Sequence, residues 1–323
     1  MGNDYIISIE KEARLSIDTE RLKVFLPLDD KTHYIAVMDI AVLILAHPCI
    51  SLTAPVVQYL SKKGAVILSV DEKFMPTALT FPIGYNIDGA KRPHQQVKII
   101  NSEYQKKYLD QIIKSKILGQ EKVLRLLNKE KADYLIKILS RVKNGDKENI
   151  EGLAAKIYWE VYFKAFDSID KREKQGATDI INSCLNYGYA VLRAIIARSL
   201  CSAGLCLNFG LGHYRKDNPF NLAEDFIEPF RYMVDAVVLE ILKTKDYKEL
   251  SSLLKKEIIL NILSFKVKIG AKNYRLFQAV DEAIYSFCSC LADTRKNLVL
   301  PNNYISRGAK RSKCSSQHIK YES

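Results

Sequence analysis

No stretch of this 323-residue sequence stays apolar for long: the longest uninterrupted run, Ile40 to Ala46, has seven residues, where a helix crossing a bilayer needs about 20. No membrane anchor is therefore expected. The opening MGNDYIISIE places no positive charge ahead of an apolar segment, so a secretory signal is not expected either, and a cytoplasmic location is. Cysteine is present in an odd number, seven. Cys201 with Cys206 and Cys288 with Cys290 are the only close pairs, and those spacings match neither a zinc nor a disulfide framework, so reduced thiols in the core are expected. The phosphate-binding pattern G-x-x-x-x-G-K-[ST] is missing. Gly210-Leu211-Gly212 lacks the third glycine and the preceding strand of a dinucleotide site. Together these exclude an engine driven by nucleotide hydrolysis. No internal repeat is present.

What the chain has in excess is positive charge, net +12. The surplus is local: residues 91 to 150 carry 15 Lys and Arg against 7 Asp and Glu, and residues 295 to 323 carry 7 against 1. A concentrated basic surface attracts polyanions, chiefly nucleic acid. Hydrophobic residues at 48% and charged residues at 27% otherwise describe ordinary globular material, long enough for two domains.

The first 80 residues alternate in the manner of strands. Tyr5 to Ile9, Arg14 to Ile17, Leu22 to Phe25, His33 to Met38, Ala41 to Leu45, Ala65 to Val70 and Ala78 to Phe81 are expected strands. Asp18 to Arg21 is the turn of a hairpin, and Leu52 to Lys62 a short helix. Gly84, Gly89 and Pro93 punctuate the segment that follows, after which the period becomes helical. The chain is thus expected to be α+β: a small β domain over 1–81, a linker over 82–93, a larger all-α domain over 94–294, and a basic tail over 295–323. Within the helical part, Ile150, Leu153, Ile157 and Val161 are the expected buried stripe of one helix. Residues 179 to 203 are apolar on most sides and form a central buried helix in which Asn182 and Asn186 need partners. Phe265 to Tyr274 is a short β excursion.

Chemistry gathers in LCLNFGLGHYRKDNPFNLAEDFIEPFR, residues 205 to 231. Gly204, Gly210 and Gly212 end the preceding helix and leave His213 on a turn. Asn221 is an expected N-cap, with Glu224 completing a capping-box variant. On the helix so started Asp225 and Glu228 share a face, and Pro229 bends it just beyond. One imidazole and two carboxylates form a mixed N/O set that suits Mg²⁺ or Mn²⁺ better than zinc. The same residues equally suit a hydrogen-bonded loop histidine beside acids that complement a helix dipole. Glu151, at the start of its helix, is likewise explained by the dipole alone. Arg231 either pairs with Glu228 or reaches a phosphate. Tyr187 and Tyr189 are expected in the core.

Four spaced motifs together resemble one family, the CRISPR adaptation integrases that insert new spacers into the repeat array. They are N-I-E-G-x-A-A-x-x-Y-W from Asn149, D-x-x-N-x-x-L-N-Y-G-Y from Asp179, A-G-L-x-L-x-x-G-x-G-H from Ala203 and F-N-L-A-E-D-F-I-E-P-F-R from Phe220. D-E-K-F-M-P-T-A-L from Asp71 is most similar to the form that accompanies type II systems. Ile180 and Tyr232 depart from residues common in relatives, and neither is a ligand. The resemblance implies a divalent cation, Mg²⁺ or Mn²⁺, held by Glu151, His213 and Glu228, with Asp225 as an auxiliary acid. It implies phosphodiester chemistry of the hydrolase type, DNA as substrate (incoming fragment and repeat), a homodimer built on the N-terminal domain, and a complex with a small second adaptation protein. Lys91, Arg92, Arg231, Arg307, Lys310 and Arg311 are the expected DNA contacts. The competing expectations are a structure-selective nuclease with the same ligands and a DNA-binding scaffold without catalysis.

Overall fold

The computed structural model describes residues 5–70, 76–80, 89–167, 171–173 and 177–301. The chain divides into two compact units, split between residues 85 and 86. Asp71 to Met75, most of the expected linker, and Arg307, Lys310, Arg311 and Lys313 lie outside the described residues.

The first unit begins with β1 (Tyr5–Ile9), β2 (Ala13–Asp18), β3 (Arg21–Leu26) and β4 (Lys31–Ala36). β2 and β3 form the expected hairpin, pairing Asp18 with Arg21. Thr19 and Glu20 both take positive φ, 46° and 62°, the backbone a two-residue hairpin turn needs to match strand twist. A 3-10 turn at Val37–Asp39 follows β4, so Met38 belongs to that turn and not to a strand. β5 (Ile40–Leu45) is apolar at every position and lies parallel between β1 and β7 (Val66–Val70), as a strand covered on both faces should be. β6 (Ile50–Leu52) is too short to show a period, and it pairs parallel to β2. α1 (Ala54–Lys62) makes the crossover to β7, sending Val56 and Leu60 into the core with Leu15, Leu22, Val24 and Leu43. With β8 (Pro76–Thr80) at one edge, the strands form two four-stranded sheets, β1-β5-β7-β8 and β4-β3-β2-β6.

The second unit is helical: α2 (Lys91–Ile99), α3 (Glu103–Leu127), α4 (Lys129–Ile138), α5 (Ile150–Lys164), α6 (Ile180–Ser202), α7 (Asn221–Ile227), α8 (Arg231–Thr244), α9 (Ser252–Ser264) and, after the hairpin β9 (Lys266–Ile269) and β10 (Lys272–Arg275), α10 (Leu276–Ala292). Lys91 to Pro93, expected in the linker, are the first turn of α2, where proline costs no hydrogen bond. α6 is buried along most of its length and packs against α7, α8, α9 and α10. Its length and composition alone would let it cross a bilayer, but most of it is inside this unit. Close approach of helices needs small residues: a Cβ on Gly119 of α3 would lie 2.6 Å from the Tyr232 ring of α8.

Three local expectations are corrected. The buried face of α5 is Ile150, Ala154, Tyr158 and Tyr162, one residue round from the expected Leu153, Ile157 and Val161, because the tyrosines find hydrogen-bond partners inside. Asn221 is the first residue of α7 and not its cap. Its Nδ2 donates instead to the carbonyls of Arg215 (3.0 Å) and Asn208 (3.4 Å), bracing the preceding loop. Residues 295–301, expected in the tail, return along α3. Lys107 Nζ donates to the carbonyls of Thr294, Arg295 and Lys296 at 3.0, 3.2 and 2.7 Å, and Ser115 Oγ to that of Pro301 at 3.2 Å.

Candidate functional site

The loop after α6 places His213. Gly204 turns the chain out of α6 with φ of 74°, in the left-handed region that favours glycine. Gly212 is required for space rather than angle, since a Cβ there would meet Leu109 at 2.6 Å and Asp225 Oδ1 at 3.2 Å. The loop can therefore settle onto Asp225. That carboxylate, 1% exposed, accepts the backbone N–H of Leu211, of Gly212 (3.1 Å) and of His213 (3.2 Å), while its Oδ1 lies 2.7 Å from His213 Nδ1. With Nδ1 held, Nε2 is the ring nitrogen left to act. The bond to Asp225 raises the imidazole pKa. Burial raises that of Asp225, and His213 and the loop amides oppose the rise.

Glu228 follows α7 directly. Pro229 cannot donate to a continuing helix, and Glu228–Phe230 form a 3-10 turn before α8 restarts, the bend expected from the sequence. Glu228 is 9% exposed; its Oε1 accepts from Arg231 Nε at 2.9 Å, and its Oε2 lies 2.7 Å from Lys116 Nζ. Burial alone would raise its pKa, but Arg231 and Lys116 bring it down to about 2, so it is a carboxylate. Glu151 stands in the first turn of α5. Asn149, at φ 52°, caps that turn through Gly152 N (3.3 Å), and Asp146 accepts the N–H groups of Ile150 (2.9 Å) and Glu151 (2.8 Å). The Glu151 carboxylate also pairs with Lys116 Nζ.

Two of the three expected ligands are thus joined through a lysine that sequence reasoning missed. The signal was available: Lys116 stands four residues after Ile112, three after Ile113 and three before Gly119, on the inner face of α3. His213 lies near enough for its charge to lower the pKa of Glu228. Among the described residues no three His, Cys, Asp or Glu groups are gathered as a ready metal cage. Physically, the ammonium of Lys116 fills the space between the carboxylates that a cation would use. The donor set of two carboxylates and one imidazole still fits a hard divalent ion, and two acids turned toward one cation are already arranged for another.

Asp225, expected as an auxiliary acid, has its oxygens engaged by the loop amides and by His213. Arg231 takes the first of its two expected roles: largely shielded, it pairs with Glu228 and Glu224, with its guanidinium 4.6 Å from the Tyr189 ring centroid. Arg92 donates to the carbonyl of Ala203 and to Cys288 Sγ (3.0 Å). Lys91 is exposed. Asn182 and Asn186 have the expected partners, accepting from Arg172 at 2.9 and 2.6 Å.

Behind Arg231, Asp235 is buried. Its carboxylate accepts from Tyr158 Oη (2.6 Å) and from Tyr189 Oη, and its carbonyl from Tyr162 Oη (2.8 Å). Burial pushes the carboxyl up to about 6, with the tyrosine hydrogen bonds and Arg231 limiting the rise. A carboxyl raised on folding favours the folded state in acid, and that advantage is lost as pH climbs through about 6. Relative to Asp235→Asn, the native chain is expected to gain roughly 1–3 kcal/mol between about pH 7 and about pH 4. Urea unfolding of both proteins across that range measures it, and parallel stability curves would contradict it.

Residues 6–261 match the family model described as CRISPR associated protein Cas1. The chain is 32% identical over 302 residues to the CRISPR-associated endonuclease Cas1 of Neisseria meningitidis serogroup C, covering 91% of this chain and 94% of that protein. Among solved structures, a casposase bound to integration product superposes with a TM-score of 0.78 at 18% identity, covering 95% of each chain. A chain of a Cas6-RT-Cas1–Cas2 complex does so with a TM-score of 0.74 at 18% identity, covering 90% of this chain and 35% of that one. Both likenesses are of fold.

Proposed function

The chain belongs to the family of CRISPR-associated Cas1 proteins, and from that premise we propose that it is a divalent-metal-dependent DNA integrase that inserts new spacer DNA into a CRISPR array by 3′-hydroxyl transesterification. The observation that carries this reading is the meeting of Glu151 and Glu228, from separate helices, on one nearly buried positive charge, while Asp225 fixes the His213 ring by its Nδ1.

Glu151, Glu228 and His213 Nε2 are the groups that would hold Mg²⁺ or Mn²⁺. When bound, such an ion supplies a Lewis acid at the attacked phosphorus and favours the ionised 3′ hydroxyl. The rest falls to the chain itself. Asp225 holds Nδ1 of the imidazole, which leaves Nε2 as the atom that would reach a metal. Arg231, itself held by Glu224, fixes one oxygen of Glu228. The incoming 3′ hydroxyl loses its proton and forms a new P–O bond, while the bond to the displaced 3′ oxygen breaks and that oxygen takes up a proton. One phosphodiester replaces another, so no nucleotide need be hydrolysed, in keeping with the missing phosphate-binding loop.

The exposed Lys91, Lys98, Lys129, Lys131 and Lys137 supply phosphate contacts that position DNA without reading its sequence. Because two separated nicks must be joined at opposite ends of a repeat, the working form is a cytoplasmic assembly of homodimers with a small second protein. One structural neighbour belongs to a complex that contains Cas2.

A strand-transfer assay with a short duplex fragment, supercoiled repeat plasmid and Mn²⁺ tests the proposal. Relaxed or branched plasmid covalently joined to the fragment is expected, and its loss on adding chelator. Cleavage without joining would mark a free-standing nuclease, and binding without either a scaffold.

A further inference from the structure

Lys116 is a charged group at the site itself that the chemistry above leaves without a task. It projects from the inner face of α3, its side chain 14% exposed, where α3 packs against α5 and against the 3-10 turn that bears Glu228. Burial by itself lowers the pKa of its ammonium, but Glu228 and Glu151 outweigh that effect and raise it, so the group is charged. Its ammonium stands against both carboxylates, donating to Glu151 and lying 2.7 Å from Glu228 Oε2.

Resting on the metal-dependent reading, we propose that Lys116 is the resident counter-ion of the site: its ammonium joins Glu151 to Glu228 in the metal-free protein and must leave the space between them for a divalent cation to enter. Two positive charges cannot share that space without strong repulsion in a poorly solvated pocket. Lysine can leave, being a compact charge on a flexible four-carbon stem. The carboxylates remain placed when it does. Arg231 keeps Glu228 Oε1, and Asp146 and Asn149 keep the first turn of α5. The displaced ammonium then needs acceptors, and the phosphate oxygens of DNA are the anions the reaction itself brings. Metal and DNA therefore favour each other's binding through this one side chain, a coupling that is reciprocal by thermodynamic necessity.

Titration of the full-length protein with Mn²⁺ alone, followed by the paramagnetic resonance of the free ion, tests this. Lys116→Gln is expected to bind Mn²⁺ roughly ten- to a hundredfold more tightly than the native chain. It should also melt at a lower temperature without metal and gain more from saturating Mn²⁺. A folded Lys116→Gln protein with native or weaker affinity overturns the proposal. Should that variant fail to fold without metal, Lys116→Arg decides: its planar fork grips carboxylates bidentately, so Mn²⁺ affinity is expected to fall several-fold, and native affinity overturns the proposal. Glu228→Gln separates the two levels. If Mn²⁺ binding to the native chain is indifferent to Glu228→Gln, the metal site and with it the role of Lys116 both fail. If binding needs Glu228 but is unchanged in Lys116→Gln, only the role of Lys116 fails.

Discussion

Glu228→Gln is expected to lower strand transfer by more than about a hundredfold, the upper end of the effect of disturbing a metal ligand's support, while DNA affinity measured without metal stays near native. Glutamine keeps the shape of the side chain and removes its charge. Two largely shielded cations then lose a partner, for which the cost in a fully buried pair is about 3–5 kcal/mol when the partner is sole. Neither cation is abandoned here. Arg231 retains Glu224 at 3.4 Å and Lys116 retains Glu151, so the stability loss should be well below that figure and the variant should fold. Product formation and gel-shift affinity, measured side by side, decide the matter. Product within tenfold of native would remove Glu228 from the chemistry, and equal loss of product and of binding would make it a structural residue only.

Asp225→Ala is expected to do the opposite kind of damage, with stability falling as much as activity. The buried carboxylate accepts from three successive backbone amides and contacts the His213 ring. Alanine leaves those amides without an acceptor, and each buried unsatisfied donor costs about 1–3 kcal/mol. A loss of several kcal/mol follows, together with faster proteolysis in the loop between Leu207 and Phe220. Asp225→Asn keeps one acceptor oxygen and should recover part of the stability, though its amide nitrogen can accept from none of these groups. Thermal melting and limited proteolysis of both variants give the answer. A melting point for Asp225→Ala within a few degrees of native would mean that the loop is held by other contacts, such as those of Asn221.

Much of the fold was legible because its causes are local. Alternation over Tyr5 to Ile9 and Leu22 to Phe25, the polar turn between β2 and β3, the unbroken apolar length of α6, and the proline that bends the chain after Glu228 each depend on residues within a few positions. The α+β class followed from them. β6 was missed because three residues cannot display a period. The buried face of α5 was placed one residue off because Tyr158 and Tyr162 count as amphipathic until Asp235, far along the chain, offers them acceptors. The candidate site divides in the same way. His213 on a turn and Glu228 beside Pro229 could be argued from the sequence, and Glu151 only by resemblance. Lys116 could not be paired with either acid, since the packing of α3 against α5 and the turn at Glu228 brings them together. Nor does a sequence display backbone amides, which is why the hold of Asp225 on the loop was not legible in it.

The clamp around Arg172 also gives the protein an optical property. The guanidinium held by Asn182 and Asn186 lies 5.6 Å from the ring centroid of Trp159, the chain's single tryptophan, which also meets Tyr158 edge-on at 4.9 Å. A cation so close to an indole alters its emission, and with one indole per chain no other fluorophore of that colour obscures the signal. Opening of the 171–173 segment can therefore be followed by intrinsic fluorescence, without attaching a dye.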